Sequence, residues 1–370
     1  MLRFSAGVKA AFGLFSIVMV AGCSNTQGSR ALLPGVVLPD SHAAKNGGAI
    51  VALWVASQSQ SYIYGQDERG KRTVMALDVG ANGCMGPQGI KVDHQRRLWV
   101  ACSDGQYGPG TVQVYKPGRN SPSKTYTAAG RCGTMMKIRF AKPPHCRECG
   151  CSWEAALDDV AFDGEGNVFA AETFECTHDG GINCGANFDV LWWNSRSSKA
   201  GSIYSTASAE SFFLDIDVAG NLYVGAASRC TYSQYVCTED SIDEITGPTS
   251  ISPVVTTIIP AGSDELGGVY VSNGGGVLNV VDETARTASQ YRLPWVTSEM
   301  PFNVLGPTLT RMGEGRPISG GFDADDDHLA LGDADGWADI GNVARNNWSA
   351  VTNKNLKYGN GGAAYVPSDK

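Results

Sequence analysis

Runs of alternating apolar and polar residues recur along the chain, and they come in pairs around a short polar turn. Gly89-Ile-Lys-Val-Asp93 is followed after four residues by Leu98-Trp-Val-Ala101. Asp159-Val-Ala-Phe-Asp163 leads through Gly164–Asn167 to Val168-Phe-Ala-Ala171, and Leu214-Asp-Ile-Asp217 leads through Val218–Asn221 to Leu222-Tyr-Val-Gly225. In all three the Asp stands five positions before the first apolar residue of the second run. Ser319-Gly-Gly-Phe-Asp323 reaches Leu329-Ala-Leu-Gly332 with one residue more. Leu53-Trp-Val-Ala56 and Val269-Tyr-Val-Ser272 read as second runs whose first runs are missing or degraded. A period of two with β-branched and aromatic residues marks strands, and an Asp/Gly/Asn corner between two strands marks a hairpin.

A third alternating run follows each hairpin, such as Thr111–Tyr115, Val190–Trp193 or Val277–Val281. A fourth often follows, such as Thr73–Leu77 or Thr287–Tyr291. No long segment carries the 3.6-residue apolar period of a helix. Four antiparallel strands per unit, repeated, describe an all-β β-propeller. Six blades fit best, and seven of about 46 residues also fit the length. A circular array must close or leave two sheet edges bare. The tail Ala363–Asp369 resembles a first strand ending in its Asp, while Leu53–Ala56 lacks one. The C-terminal strand is therefore expected innermost in the blade that the N-terminal strands begin.

These units resemble the NHL-like and gluconolactonase-like six-bladed propellers, on the stretches Gly86–Asp93 with Leu98–Ala101 and Asp217–Gly225. The resemblance spans residues 48–370 and implies the fold. Gluconolactonase-like members hold a divalent metal near the axis with an early Glu, two Asn and an Asp. Their Glu-Gly-Pro and Pro-Asn-Gly settings do not occur in this chain.

Glycine counts 46 of 370 residues, about 12 per cent against a usual level of roughly 7 per cent, which suits many tight turns. The formal net charge of −8 and the lack of a basic run interleaved with aromatics exclude a nucleic-acid partner. At the N terminus Arg3 and Lys9 precede an uncharged apolar stretch, Ala10–Val20, shorter than the roughly 20 residues of a membrane span. It ends in Val20-Ala21-Gly22-Cys23, which resembles the lipobox of bacterial lipoproteins. That resemblance implies a signal peptide over 1–22 and lipid on Cys23. It implies anchoring to a membrane of the cell envelope, with the domain facing periplasm or exterior. Residues 23–47 read as a flexible tether and 48–370 as the propeller.

The other ten cysteines are Cys84, Cys102, Cys132, Cys146, Cys149, Cys151, Cys176, Cys184, Cys230 and Cys237. An even number in an exported chain points to disulfides. Cys176 with Cys184 and Cys230 with Cys237 each bracket one short loop, and Cys84 with Cys102 is the third expected pair. In a four-stranded blade the 2→3 turns and 4→1 connections emerge on one face and the 1→2 and 3→4 turns on the other. All ten cysteines then fall on the 2→3 face, where stapled loops could shape a docking platform.

Metal chemistry is the competing use of these residues. His145, Cys146, Cys149 and Cys151, with Cys176 and His178, carry soft ligands suited to zinc. Asp323, Asp325 and Asp327 are spaced like the start of a calcium loop, with Asp333 and Asp335 as helpers. The sixth position is His328 instead of Gly and the twelfth Ala334 instead of Glu, so an acidic hairpin corner accounts for Asp323 more simply. No nucleophile elbow, phosphate loop or dinucleotide fingerprint is present. The expectation is a module that binds a protein or small molecule on the cysteine-bearing face, without a required cofactor. A metal-dependent hydrolase of the lactonase kind is the alternative.

Overall fold

The acidic corners explain why the strands turn where they do. Asp93 Oδ1 accepts the amides of Gln95 and Arg97 (both 2.9 Å), Asp163 Oδ1 those of Glu165 and Asn167 (2.9 and 2.8 Å), and Asp217 Oδ1 that of Asn221 (2.8 Å). A side chain that bonds its own backbone a few residues on mimics a turn. The second oxygen takes a different donor in each blade: Arg97 and Trp99 on Asp93, Asn167 on Asp163, Asn221 and Tyr223 on Asp217. Three residues after the corner the chain enters the left-handed region, at Arg96 (φ 59°), Gly166 (φ 83°) and Gly220 (φ 84°). Only glycine visits that region without steric cost.

The computed structural model describes residues 51–366 except 68–69, 104–109, 129–153, 179–181, 196–199, 208–209, 232–235, 260–265, 273–274, 283–286, 295–316, 324–327, 334–337, 343–346 and 352–359. The first blade contains β1 (Leu53–Ser57), β2 (Tyr62–Gln66) and β3 (Thr73–Asp78). The second contains β4 (Gly86–Val92), β5 (Leu98–Ser103), β6 (Thr111–Tyr115) and β7 (Lys124–Thr127). The third contains β8 (Glu154–Phe162), β9 (Val168–His178), β10 (Ile182–Trp193) and β11 (Gly201–Ala207). The fourth contains β12 (Glu210–Ile216), β13 (Leu222–Thr231), β14 (Val236–Thr246) and β15 (Val254–Ile259). The fifth has three described strands, β16 (Leu266–Val271), β17 (Val277–Asp282) and β18 (Thr287–Arg292). The sixth contains β19 (Pro317–Phe322), β20 (His328–Asp333), β21 (Ala338–Asn342) and β22 (Asn347–Val351).

The last strand, β23 (Asn360–Tyr365), joins the first blade, whose order is β23-β1-β2-β3. Its register sets Tyr365 opposite Leu53 and Ala363 opposite Val55. The ring is thus closed by strands from the two ends of the domain.

Among the described residues the apolar core falls into six clusters, one between each pair of neighbouring blades. Trp99, Val114 and Tyr126 of the second blade meet Leu157, Val168 and Trp193 of the third. Leu53, Val55 and Ala363 of the first meet Ala330 and Ala338 of the sixth. The remaining four clusters fill the other four interfaces. Six interfaces close the circle, so the blade number is six.

One part of the repeat differs from its sequence reading. Val269–Ser272 is not a second run. Its strand, β16, is the innermost of the fifth blade, Val277–Val281 lies in the second strand and Thr287–Tyr291 in the third. Ser272 occupies the corner in place of Asp, accepting the Val277 amide on Oγ at 3.2 Å. A corner search keyed to Asp therefore shifts that blade by one strand.

Cys84 and Cys102 form a disulfide, and both are fully buried. It ties the 3₁₀ turn Gly80–Asn82 region to the end of β5 across a separation of 18 residues. Closing a loop of that size stabilises a domain by about 3 kcal/mol in the chain-entropy account. Replacing both cysteines by alanine is expected to remove about that much, read as a lowered urea midpoint. An unchanged midpoint would show that the bond contributes nothing.

Candidate functional site

Inner strands of neighbouring blades bond one another through carboxylates. Asp159 on β8 accepts the amide of Val160 (2.9 Å) on its own strand and that of Leu214 (3.3 Å) on β12. Asp215 on β12 repeats the pattern, accepting Ile216 (3.1 Å) and, on β16, Val271 (2.8 Å). Lys91 on β4 reaches across the axis to blades that are not its neighbours in the ring. Its Nζ lies 3.4 Å from Asp215 Oδ2, 3.2 Å from the Gly320 carbonyl oxygen on β19 and 5.3 Å from the Tyr270 ring centre on β16. Lys91 is 9% exposed. Asp159 is fully buried, and burial together with the nearby Asp215 charge pushes its carboxyl up to about 7, against the pull of the Lys91 ammonium and of the two amides it accepts.

Above this floor opens a well of about 1320 Å³, bounded by the acidic corners and by the 3→4 turns around Ser123, Ser195 and Thr246–Thr249. Its mouth is the face opposite the 2→3 turns. Each inner strand places one apolar residue there: Val92, Phe162, Ile216, Val271 and Phe322 immediately before a corner, and Tyr365 at the equivalent place before Val366. All but Val271 are partly exposed. Two positions before the corner the six strands carry Lys91, Ala161, Asp215, Tyr270, Gly321 and Ala364. Charge thus comes from the second and fourth blades, while the sixth and first offer only Gly321 and Ala364. A concave site with apolar walls and a few convergent polar groups is the usual shape of a small-molecule pocket.

The sequence reading did not pick out Lys91, Asp159 or Asp215. For Lys91 and Asp215 the available signal was the alignment itself, a charge between apolar neighbours two positions before the corner; Asp159 stands four positions before its corner, beside Asp158, and shares no such signal. Of the residues it did pick out, Asp323 serves as a corner. Its Oδ1 accepts the His328 amide at 3.0 Å, and its Oδ2 lies 2.9 Å from His328 Nδ1. Asp325 and Asp327 lie outside the described residues, as do Cys23, Cys132, His145, Cys146, Cys149 and Cys151. Among the described residues no three His, Cys, Asp or Glu side chains gather as a metal site. The lactonase alternative needs carboxylates converging on a metal, whereas at this axis Asp159 and Asp215 accept backbone amides and the central cation is Lys91.

On the opposite face, among the described residues, β13 and β14 pair beyond the described ends of their neighbours. The described pairing with β12 reaches Ala227 opposite Glu210, while β13 and β14 stay in register to Thr231 opposite Val236, with Cys230 directly opposite Cys237. In the third blade β9 and β10 run on to His178 opposite Ile182, past the last described pairs with β8 at Glu175 and with β11 at Asn187, and Cys176 lies opposite Gly185, next to Cys184.

The chain is a six-bladed β-propeller with an axial well at one face and extended hairpins at the other. No protein-family model matches it, and no curated protein matches its sequence. Solved structures are similar in fold. A chain of the nidogen/laminin complex superposes with a TM-score of 0.54 at 10% identity, covering 85% of this chain and 98% of that one. A chain of the Kuenenia stuttgartiensis hydrazine synthase gives 0.45 at 12% identity, covering 82% and 81%. The Dos1 propeller gives 0.42 at 10% identity, covering 82% and 68%. At such identities the likeness concerns the fold alone, and the first of the three carries it.

Proposed function

We propose that the chain is an exported lipoprotein, held to a membrane of the bacterial cell envelope by lipid on Cys23. Its NHL-like propeller then acts as a binding module whose partner docks on the cysteine-bearing face. The carrying observation is the pair of extended hairpins. A two-stranded ribbon beyond its sheet is marginal by itself, and the cysteines on these two sit opposite or nearly opposite one another. Cross-strand disulfides there would hold both ribbons rigid, which lowers the ordering cost of recognising a partner. A propeller whose two projecting hairpins are stapled presents a preformed surface for recognition.

Two measurements test this. Radiolabelled palmitate is expected to label the wild-type protein and not Cys23→Ala; label retained by that variant would overturn the anchor. A photo-crosslinking amino acid at Ser228 on β13 is expected to give a covalent partner adduct in intact cells, while one at Glu165 on the opposite face gives none. Adducts from Glu165 alone, or from neither position, would overturn the docking face.

A further inference from the structure

Gly321 is unusual among the glycines of the inner strands. An added Cβ at Gly89 would lie 2.1 Å from Asp159 Oδ1, at Gly320 2.1 Å from the Ala330 carbonyl oxygen, and at Gly361 2.5 Å from that of Pro87. Those glycines are required by close approach. At Gly321 an added Cβ would meet nothing within 4 Å, and its φ is not in the left-handed region. Glycine inside a strand lowers stability by roughly 0.5–1 kcal/mol relative to alanine. Neither packing nor backbone conformation accounts for it here. What the missing side chain does is leave open space on the wall of the well that Lys91 and Asp215 also line.

We propose that the axial well binds a neutral, hydroxyl-rich small molecule of the saccharide class. Its hydroxyls meet Lys91 and Asp215, and its C–H face rests on the collar of Phe162, Phe322 and Tyr365. The floor is an ion pair. A ligand with net charge would leave one unmatched charge in a confined site, which is costly. A hydroxyl both donates and accepts, so it can accept a hydrogen bond from the Lys91 ammonium and donate one to the Asp215 carboxylate without changing the charge balance. The collar supplies the apolar surface, and the rim, which carries both signs of charge at Arg97, Lys124, Asp163 and Glu165, offers neutral hydrogen-bonding groups at Gln95, Ser195 and Thr249.

Calorimetric titration of the purified full chain with glucose, N-acetylglucosamine and maltotriose tests the proposal. At least one is expected to bind saturably, and glucosamine and glucuronate at least tenfold more weakly. Gly321→Val is expected to fold with undiminished melting temperature, because its side chain enters open space, and to lose the saccharide. Asp215→Asn is expected to weaken binding at least tenfold. Absence of saturable binding by all three neutral sugars would overturn the proposal. So would equal affinity for the charged analogues, or retained binding by a folded Gly321→Val protein. None of these outcomes bears on the cysteine-bearing face, so the two readings fail separately.

Discussion

Deleting residues 360–370 is expected to abolish the cooperative unfolding transition. The deletion removes β23, an innermost strand, and with it Ala363 and Ala364, which are 0% and 2% exposed. β1 loses its inner partner, from Leu53 to Ser57. The apolar faces of Leu53, Val55, Ala330 and Ala338 lose the strand that lies between the first and sixth blades. A ring without one inner strand also presents bare hydrogen-bonding edges at its most buried radius. Total domain stability is only about 5–15 kcal/mol, less than such losses together. Calorimetry should therefore show no sharp heat-absorption peak for the truncated chain. Ala363→Asp in the full chain should act in the same direction, because it buries a charge with no partner. Truncated protein that melts like wild type would show that closure does not depend on β23.

Lys91→Met is expected to lower stability by about 3–5 kcal/mol, the usual cost of removing one partner from a buried ion pair. The size of the loss should depend on pH. The Asp159 carboxyl goes from 3.8 to about 7 on folding. The folded state therefore holds a proton that the unfolded chain releases. This group's contribution is fully present below about pH 4, falls as pH rises towards 7, and is flat above that. Lys91 opposes the shift, so without it the folded carboxyl rises further and the cost continues to grow at higher pH. Urea denaturation at pH 5 and pH 8 should show the larger loss for Lys91→Met at pH 8. Asp159→Asn should flatten the part of the wild-type slope between pH 4 and 7, while losing one of the two backbone hydrogen bonds. A loss for Lys91→Met independent of pH would show that Asp159 is not linked to it.

Lys91 also shows where reading along the chain stops. In Gly89-Ile-Lys-Val-Asp93 it occupies an alternate position in a strand, where a lysine ordinarily faces solvent. Whether it does so depends on which strands stand across the axis. Here those are β12, β16 and β19, contributed by residues more than a hundred positions later. The fifth blade has the reverse problem: its corner is legible in space, as Ser272, but not by the Asp that marks the others. The pair Cys84–Cys102 was accessible in advance because both residues flank strands of a single blade.

By itself the sequence determined the hairpin unit, its acidic corner, the all-β class, and that the chain's last strand should complete its first blade. The first three depend on alternation and on side chains bonding their own backbone within five residues, which are local forces; the last depends on a ring's need to pair its edge strands. Only the tertiary structure decided the count of six, the position of β16, and the well with Lys91 and Asp215 at its floor beside the open space at Gly321. Those depend on which inner strands face one another across the axis, and no local periodicity encodes a distance across a ring.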